Sequence, residues 1–126
     1  MADVVLDASA VIAVLRGERG GQAAAAHMTD SKLSAVNLIE VAQRLNDEWS
    51  EEQVTAVLAE LPCKVIDFDA PLGLRAGLMR RATRARGLSL GDRACLALAE
   101  SLSLPVLTAD RAWADLDLGI EVVLIR

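Results

Sequence analysis

Val4-Val5-Leu6-Asp7-Ala8-Ser9-Ala10-Val11-Ile12-Ala13-Val14-Leu15 reads as a strand that turns directly into a helix, and the rest of the chain takes its register from that join. The first three residues form a short aliphatic run of the kind that fills a strand covered on both faces. Asp7 follows without a spacer, then a small residue, a hydroxyl and an apolar run. A strand that ends in a carboxylate carries that group to the C-terminal edge of its sheet, where open α/β sheets bind ligands. Asp7 or Ser9 also has a plainer use, as the N-cap of the helix that follows.

At 126 residues the chain makes one domain with room for a real core. Hydrophobic residues make up 53% and aromatics only 2%, so that core is aliphatic and helix-packed. No apolar run has the length of a membrane span, and no basic-then-apolar leader opens the sequence, which predicts a cytoplasmic protein. Cys63 and Cys95 lack metal-type spacing and read as buried free thiols. His27 is the only histidine, so a zinc centre and catalysis by a histidine pair are both excluded. A net charge of −5 argues against wholesale electrostatic binding of nucleic acid. The positive charge is concentrated, however, with Arg75, Arg80, Arg81, Arg84 and Arg86 crowding one segment.

From the first join, a helix is predicted over 9–15, broken by Gly17, Gly20 and Gly21, and an Ala-rich helix runs to about Met28. Residues 32–34 make a minimal strand. A helix over 35–49 presents Leu38, Val41, Ala42, Leu45 and Trp49 on one face. Ser50 and Gln53 have capping-box spacing for a helix over 51–61, which Pro62 stops. Residues 64–68 are a third strand. Asp69, Ala70 and Pro71 then start a helix that carries the Arg cluster to about Gly87. Residues 89–92 open a helix that is apolar almost all round from Ala94 to Leu102, hence buried. Residues 105–108 form a strand with Pro at its first position, a short helical turn surrounds Trp113, and 120–125 is a last strand. Strands alternating with helices predict an α/β domain with a parallel sheet of about five strands flanked by helices.

Four carboxylates stand where this alternation changes element: Asp7, Glu40, Asp92 and Asp110. Each has a local alternative. Glu40 and Arg44 have the i,i+4 spacing of a solvent-facing ion pair. Asp92 suits a helix N-terminus, and Asp110 an N-cap. Read jointly, all four reach one end of the sheet, where they repel one another unless a cation neutralises them. Oxygen-only ligands select Mg²⁺, Mn²⁺ or Ca²⁺. Mg²⁺ so held suits phosphate-ester chemistry without a histidine.

The phrases LDASAVIAVL, LSAVNLIEVAQRL, GLSLGDRACLALAESLSLPVLTAD and GIEVVLIR resemble, end to end and in order, the PIN-domain ribonucleases of the VapC toxin type. The resemblance implies one PIN domain over 1–126 and a Mg²⁺- or Mn²⁺-dependent endoribonuclease. Asp7, Glu40, Asp92 and Asp110 match the family's acidic positions, and Ser9 and Thr108 match hydroxyl positions beside the site. Asp115 lies where some relatives carry a further acid, though a solvated aspartate accounts for it. The resemblance also implies a VapB-type antitoxin whose Arg or Lys enters the acidic pocket, a toxin homodimer, and an RNA substrate.

Other classes fit less well. A response-regulator receiver would use Asp67 or Asp69 as phospho-acceptor, but it wants paired acids after the first strand and a late Lys. A haloacid-dehalogenase-like phosphatase needs an aspartate where Ser9 stands. A catalytically silent PIN-fold interaction module remains as an alternative. Arg80, Arg81 and Arg84 form either a solvated face or a grip on the RNA backbone. Trp49 and Trp113 read as core rather than as base-stacking platforms.

Overall fold

The computed structural model describes residues 3–126. Five short strands lie in one sheet: β1 Val4–Leu6, β2 Ser31–Ser34, β3 Lys64–Ile66, β4 Val106–Thr108 and β5 Val122–Leu124. All pairings are parallel and the order is β3-β2-β1-β4-β5. The chain builds outward from β1 to β3 on one side, then crosses to the other side to lay down β4. That reversal opens a crevice at the C-terminal ends of β1 and β4. The order differs from the 2-1-3-4-5 arrangement of a receiver-type sheet, so the receiver reading is set aside.

Alternation along β1 distributes the core over two layers. Val4 and Leu6 pack with α1 (Ala8–Arg16), α2 (Gly21–Ala25), α3 (Ala35–Asn46) and α4 (Glu51–Ala59). Val5 faces the other way with Val106, onto α5 (Ala70–Leu78) and α7 (Leu90–Leu102). Leu38, Val41, Ala42, Leu45 and Trp49 all join the first layer, as the helical spacing predicts. In α7 everything from Arg93 to Ala99 is buried, in keeping with its all-round apolar pattern. Ser50 and Gln53 close the predicted capping box of α4. Trp113 is fully buried in the second layer, which rules it out as a base-stacking platform. Cys63 and Cys95 are free thiols.

One predicted helix is broken. The segment from Ala70 toward Gly87 divides into α5, a four-residue α6 (Arg80–Thr83) and a 3-10 turn over Arg84–Arg86. In the last turn of α5 the Ala76 carbonyl accepts a hydrogen bond from Arg93 Nη1 at 3.0 Å. A helix end leaves such carbonyls in need of partners, and here one comes from α7. The Ala-rich second helix is likewise shorter than predicted, ending at Ala25 before a 3-10 turn over Met28–Asp30.

Candidate active site

Asp7 stands one residue beyond β1, in the N-cap position of α1, yet its side chain makes no cap hydrogen bond. Instead its Oδ2 accepts from Ser9 Oγ at 2.7 Å and from Thr108 Oγ1 at 2.8 Å. Those hydroxyls are themselves oriented by the backbone after β4. Ala109 N–H donates to Ser9 Oγ at 2.9 Å, and Asp110 N–H donates to Thr108 Oγ1 at 3.0 Å. The carboxyl is 5% exposed, and burial pushes its pKa from 3.8 up to about 6. The two hydroxyls oppose that rise, and the Asp92 and Glu40 charges add to it. Mutual repulsion is therefore a lesser cause than desolvation, contrary to the expectation from clustered charge alone.

The other three acids are held in the same manner. Glu40 Oε1 accepts from Asn37 Nδ2 at 2.7 Å. Asp92 Oδ2 accepts from Ser89 N–H at 2.9 Å, closing a capping box at the start of α7. Burial raises the Asp92 pKa, the Ser89 hydrogen bonds oppose the rise, and Asp110 reinforces it. Asp110 Oδ1 accepts from Ala112 N–H at 2.9 Å, capping the 3-10 turn over Arg111–Trp113. The plain capping roles of Asp92 and Asp110 are thus real, and they occupy one oxygen of each. Among the described residues, Asp7 Oδ1, Glu40 Oε2, Asp92 Oδ1 and Asp110 Oδ2 take no hydrogen bond. Each carboxylate is thus held through one of its two oxygens.

All four line a single open cavity of about 480 Å³. Ser9 lines it too, and Thr108 lies buried behind Asp7. Arg80 and Arg84 are exposed and do not line it. Asp115 is also outside the cavity, in an exposed ion pair with Arg86 at 2.9 Å. The helical spacing of Glu40 and Arg44 does not produce an ion pair, because Glu40 turns toward Asn37 instead. Arg44 lines the cavity with its guanidinium unpaired among the described residues.

Asp47 and Asn37 escaped the sequence reading. Asp47 brings a fifth carboxylate to the cavity. Its signal was the i, i+4, i+7 stripe from Glu40 through Arg44. Cys95 lies below, where burial and the Asp7, Asp92 and Glu40 charges hold its thiol protonated.

The donor set is oxygen-only, which fits a hard divalent cation. Among the described residues no three acidic, histidine or cysteine side chains gather in a geometry that holds a metal unaided. The acids ring the cavity rather than meet at a point. Mg²⁺ suits such a ring, since it keeps several waters and takes one or two carboxylates rather than a protein cage.

Comparison with known proteins follows the same lines. No curated protein matches the sequence. Among solved structures, the fold is similar to a DNA-bound VapBC from Salmonella typhimurium, at 18% identity, with 100% of each chain covered and a TM-score of 0.77. It is similar to a toxin–antitoxin complex from Klebsiella pneumoniae, at 22% identity, 98% of each chain and a TM-score of 0.76. VapC20 of Mycobacterium tuberculosis, a sarcin–ricin loop cleaving toxin, is similar at 15% identity, over 93% of this chain and 98% of that one, with a TM-score of 0.69. Such identities speak for the fold alone. The PIN domain family model matches residues 4–118. That span takes in all five cavity acids and all but the last strand, and the chain belongs to the PIN domain family.

Proposed function

We propose that this chain is a VapC-type toxin, a metal-dependent endoribonuclease that acts in the cytoplasm as one unit over residues 1–126. The observation that carries the reading is the set of four carboxylates that line a common cavity, each with one oxygen held by a hydrogen bond. Asp7, Glu40, Asp92 and Asp110 would hold Mg²⁺ or Mn²⁺ there. Such an ion supplies a Lewis acid for a phosphoryl oxygen and a bound water of lowered pKa. Ser9 and Thr108 keep Asp7 Oδ2 engaged, so that its other oxygen keeps one direction. A carboxyl at about 6 is largely ionised at neutral pH and ready to bind a cation. Arg80 and Arg84 are exposed cations suited to flanking RNA phosphates, offsetting the negative field of the cavity.

The solved structures that share the fold include toxin–antitoxin complexes. By that likeness the partner is an antitoxin, and the sequence resemblance adds that it is VapB-type with a basic tail and that the toxin is a homodimer. No helix among the described residues is long and apolar enough to cross a membrane. The test is cleavage of single-stranded or loop RNA with Mg²⁺, with EDTA, and by Asp7→Ala purified in parallel. Cleavage that needs Mg²⁺ and drops at least a hundredfold in the variant is expected. Undiminished cleavage in EDTA or by the variant refutes the reading, and no cleavage by the parent favours a silent PIN-fold module.

A further inference from the structure

We infer that Asn37 and Gly91 are a positioning pair that fixes the Glu40 carboxylate and sets its spacing to Asp92. The inference rests on the metal-dependent reading of the cavity. Asn37 is wholly buried in the first turn of α3. Its amide nitrogen donates to Glu40 Oε1 at 2.7 Å and to the Gly91 carbonyl at 3.0 Å. The amide has only one sensible orientation, because turning it over would set its oxygen against two acceptors. In this orientation its own Oδ1 is buried without a partner. A buried acceptor left unpaired is destabilising, and an apolar side chain of similar volume would avoid that. Packing alone therefore gives no reason for asparagine here. The two bonds made by its nitrogen do.

Gly91 meets Glu40 from the other side. A Cβ placed on it would lie 2.5 Å from Glu40 Oε2, 2.7 Å from Cδ and 2.8 Å from Oε1. Its backbone is helical and does not belong to the glycines at positive φ. Glycine inside a helix is less stable than alanine, so backbone conformation does not explain it either. The space it leaves is filled by the Glu40 carboxylate. Asn37 and Gly91 thus each carry a local stability penalty, and the same carboxylate accounts for both. Gly91 also precedes Asp92, so the Asn37 amide, 54 residues from Gly91 in sequence, ties the backbone that bears one acid to the side chain of another.

A double-mutant cycle tests the pair without substrate. In EDTA, Gly91→Ala should lower Tm by several degrees when Glu40 is present. In a Glu40→Ala background the same change should leave Tm unchanged or raise it. Asn37→Leu should bind Mn²⁺ at least tenfold more weakly by electron paramagnetic resonance, and cleave RNA with kcat down at least tenfold while KM stays within threefold. A residue that merely packs would lower Tm and leave Mn²⁺ affinity and the kcat-to-KM split untouched. Additive effects in the cycle, or parental Mn²⁺ affinity in Asn37→Leu, overturn the inference. A parent that neither binds Mn²⁺ nor cleaves RNA overturns the metal reading instead, and the Tm cycle then decides the positioning on its own.

Discussion

Replacing Asp7 with asparagine should flatten the dependence of stability on pH in metal-free buffer. In the folded chain the Asp7 carboxyl sits at about 6 instead of 3.8, chiefly because it is buried. Between those values the folded state holds a proton that the unfolded state has released. The group's contribution to stability is therefore complete below 3.8 and is lost as pH rises through about 6. The loss above that range amounts to about 3 kcal/mol. For a chain of this length the corresponding shift in Tm is on the order of 10 °C. Asparagine has nearly the same volume and no charge to desolvate. Its oxygen can keep both hydroxyl donors, from Ser9 and Thr108. Its amide nitrogen then needs an acceptor, which offsets about 1–3 kcal/mol of the gain at neutral pH. The slope, rather than the absolute Tm, is the diagnostic. Asp92, whose pKa is also raised by burial, contributes the same sign of slope in both proteins and leaves a remainder in the variant. The assay is a set of circular-dichroism melts in EDTA from pH 4.5 to 7.5, on parent and Asp7→Asn. Parallel curves would mean that Asp7 is not desolvated in the folded state, and the reasoning fails. Adding Mg²⁺ at pH 7 should stabilise the parent by mass action and the variant much less.

Two further outcomes are expected. Arg80→Ala combined with Arg84→Ala should leave the melting curve intact, since both side chains are exposed, and should reduce the slope of log RNA affinity against log salt by about 2; an unchanged slope makes them a solvated face. Trp113→Ala should cost about 3–5 kcal/mol in urea unfolding, because the ring is fully buried against α7 and its neighbours; a loss below 1 kcal/mol would contradict that packing.

Much of this architecture is legible residue by residue. The aliphatic run before Asp7, the capping box at Ser50, the helix start at Ser89 and the apolar α7 each report on themselves through local spacing. The parallel sheet follows from their alternation. The parts that were not legible depend on partners distant in sequence. The break after α5 involves an Arg93 donor seventeen residues on. Helical spacing offers Glu40 an alternative partner in Arg44, while the side chain turns to Asn37 and the backbone at Gly91. Asn37 itself resembles any polar residue in a helix start until α7 is packed against it. Local spacing gives the acids and most of their donors, Ser9, Asn37, Ser89 and Ala112 among them, while only the packing brings Thr108 to Asp7 and the Asn37 amide to Gly91.

The pairing of β1 with β4 also bears on when the site can exist. Thr108 reaches Asp7 across 101 residues of sequence, and Asp110 lies further along still. A chain still being synthesised exposes Asp7 near the start and cannot give it its Thr108 donor until β4 emerges. At ordinary rates of translation that interval is roughly 5–20 s. During it the carboxyl remains solvated, with its ordinary affinity for protons, and the cavity has no wall on the β4 side. Whatever chemistry the acids perform, it must wait until β4 and Asp110 have left the ribosome.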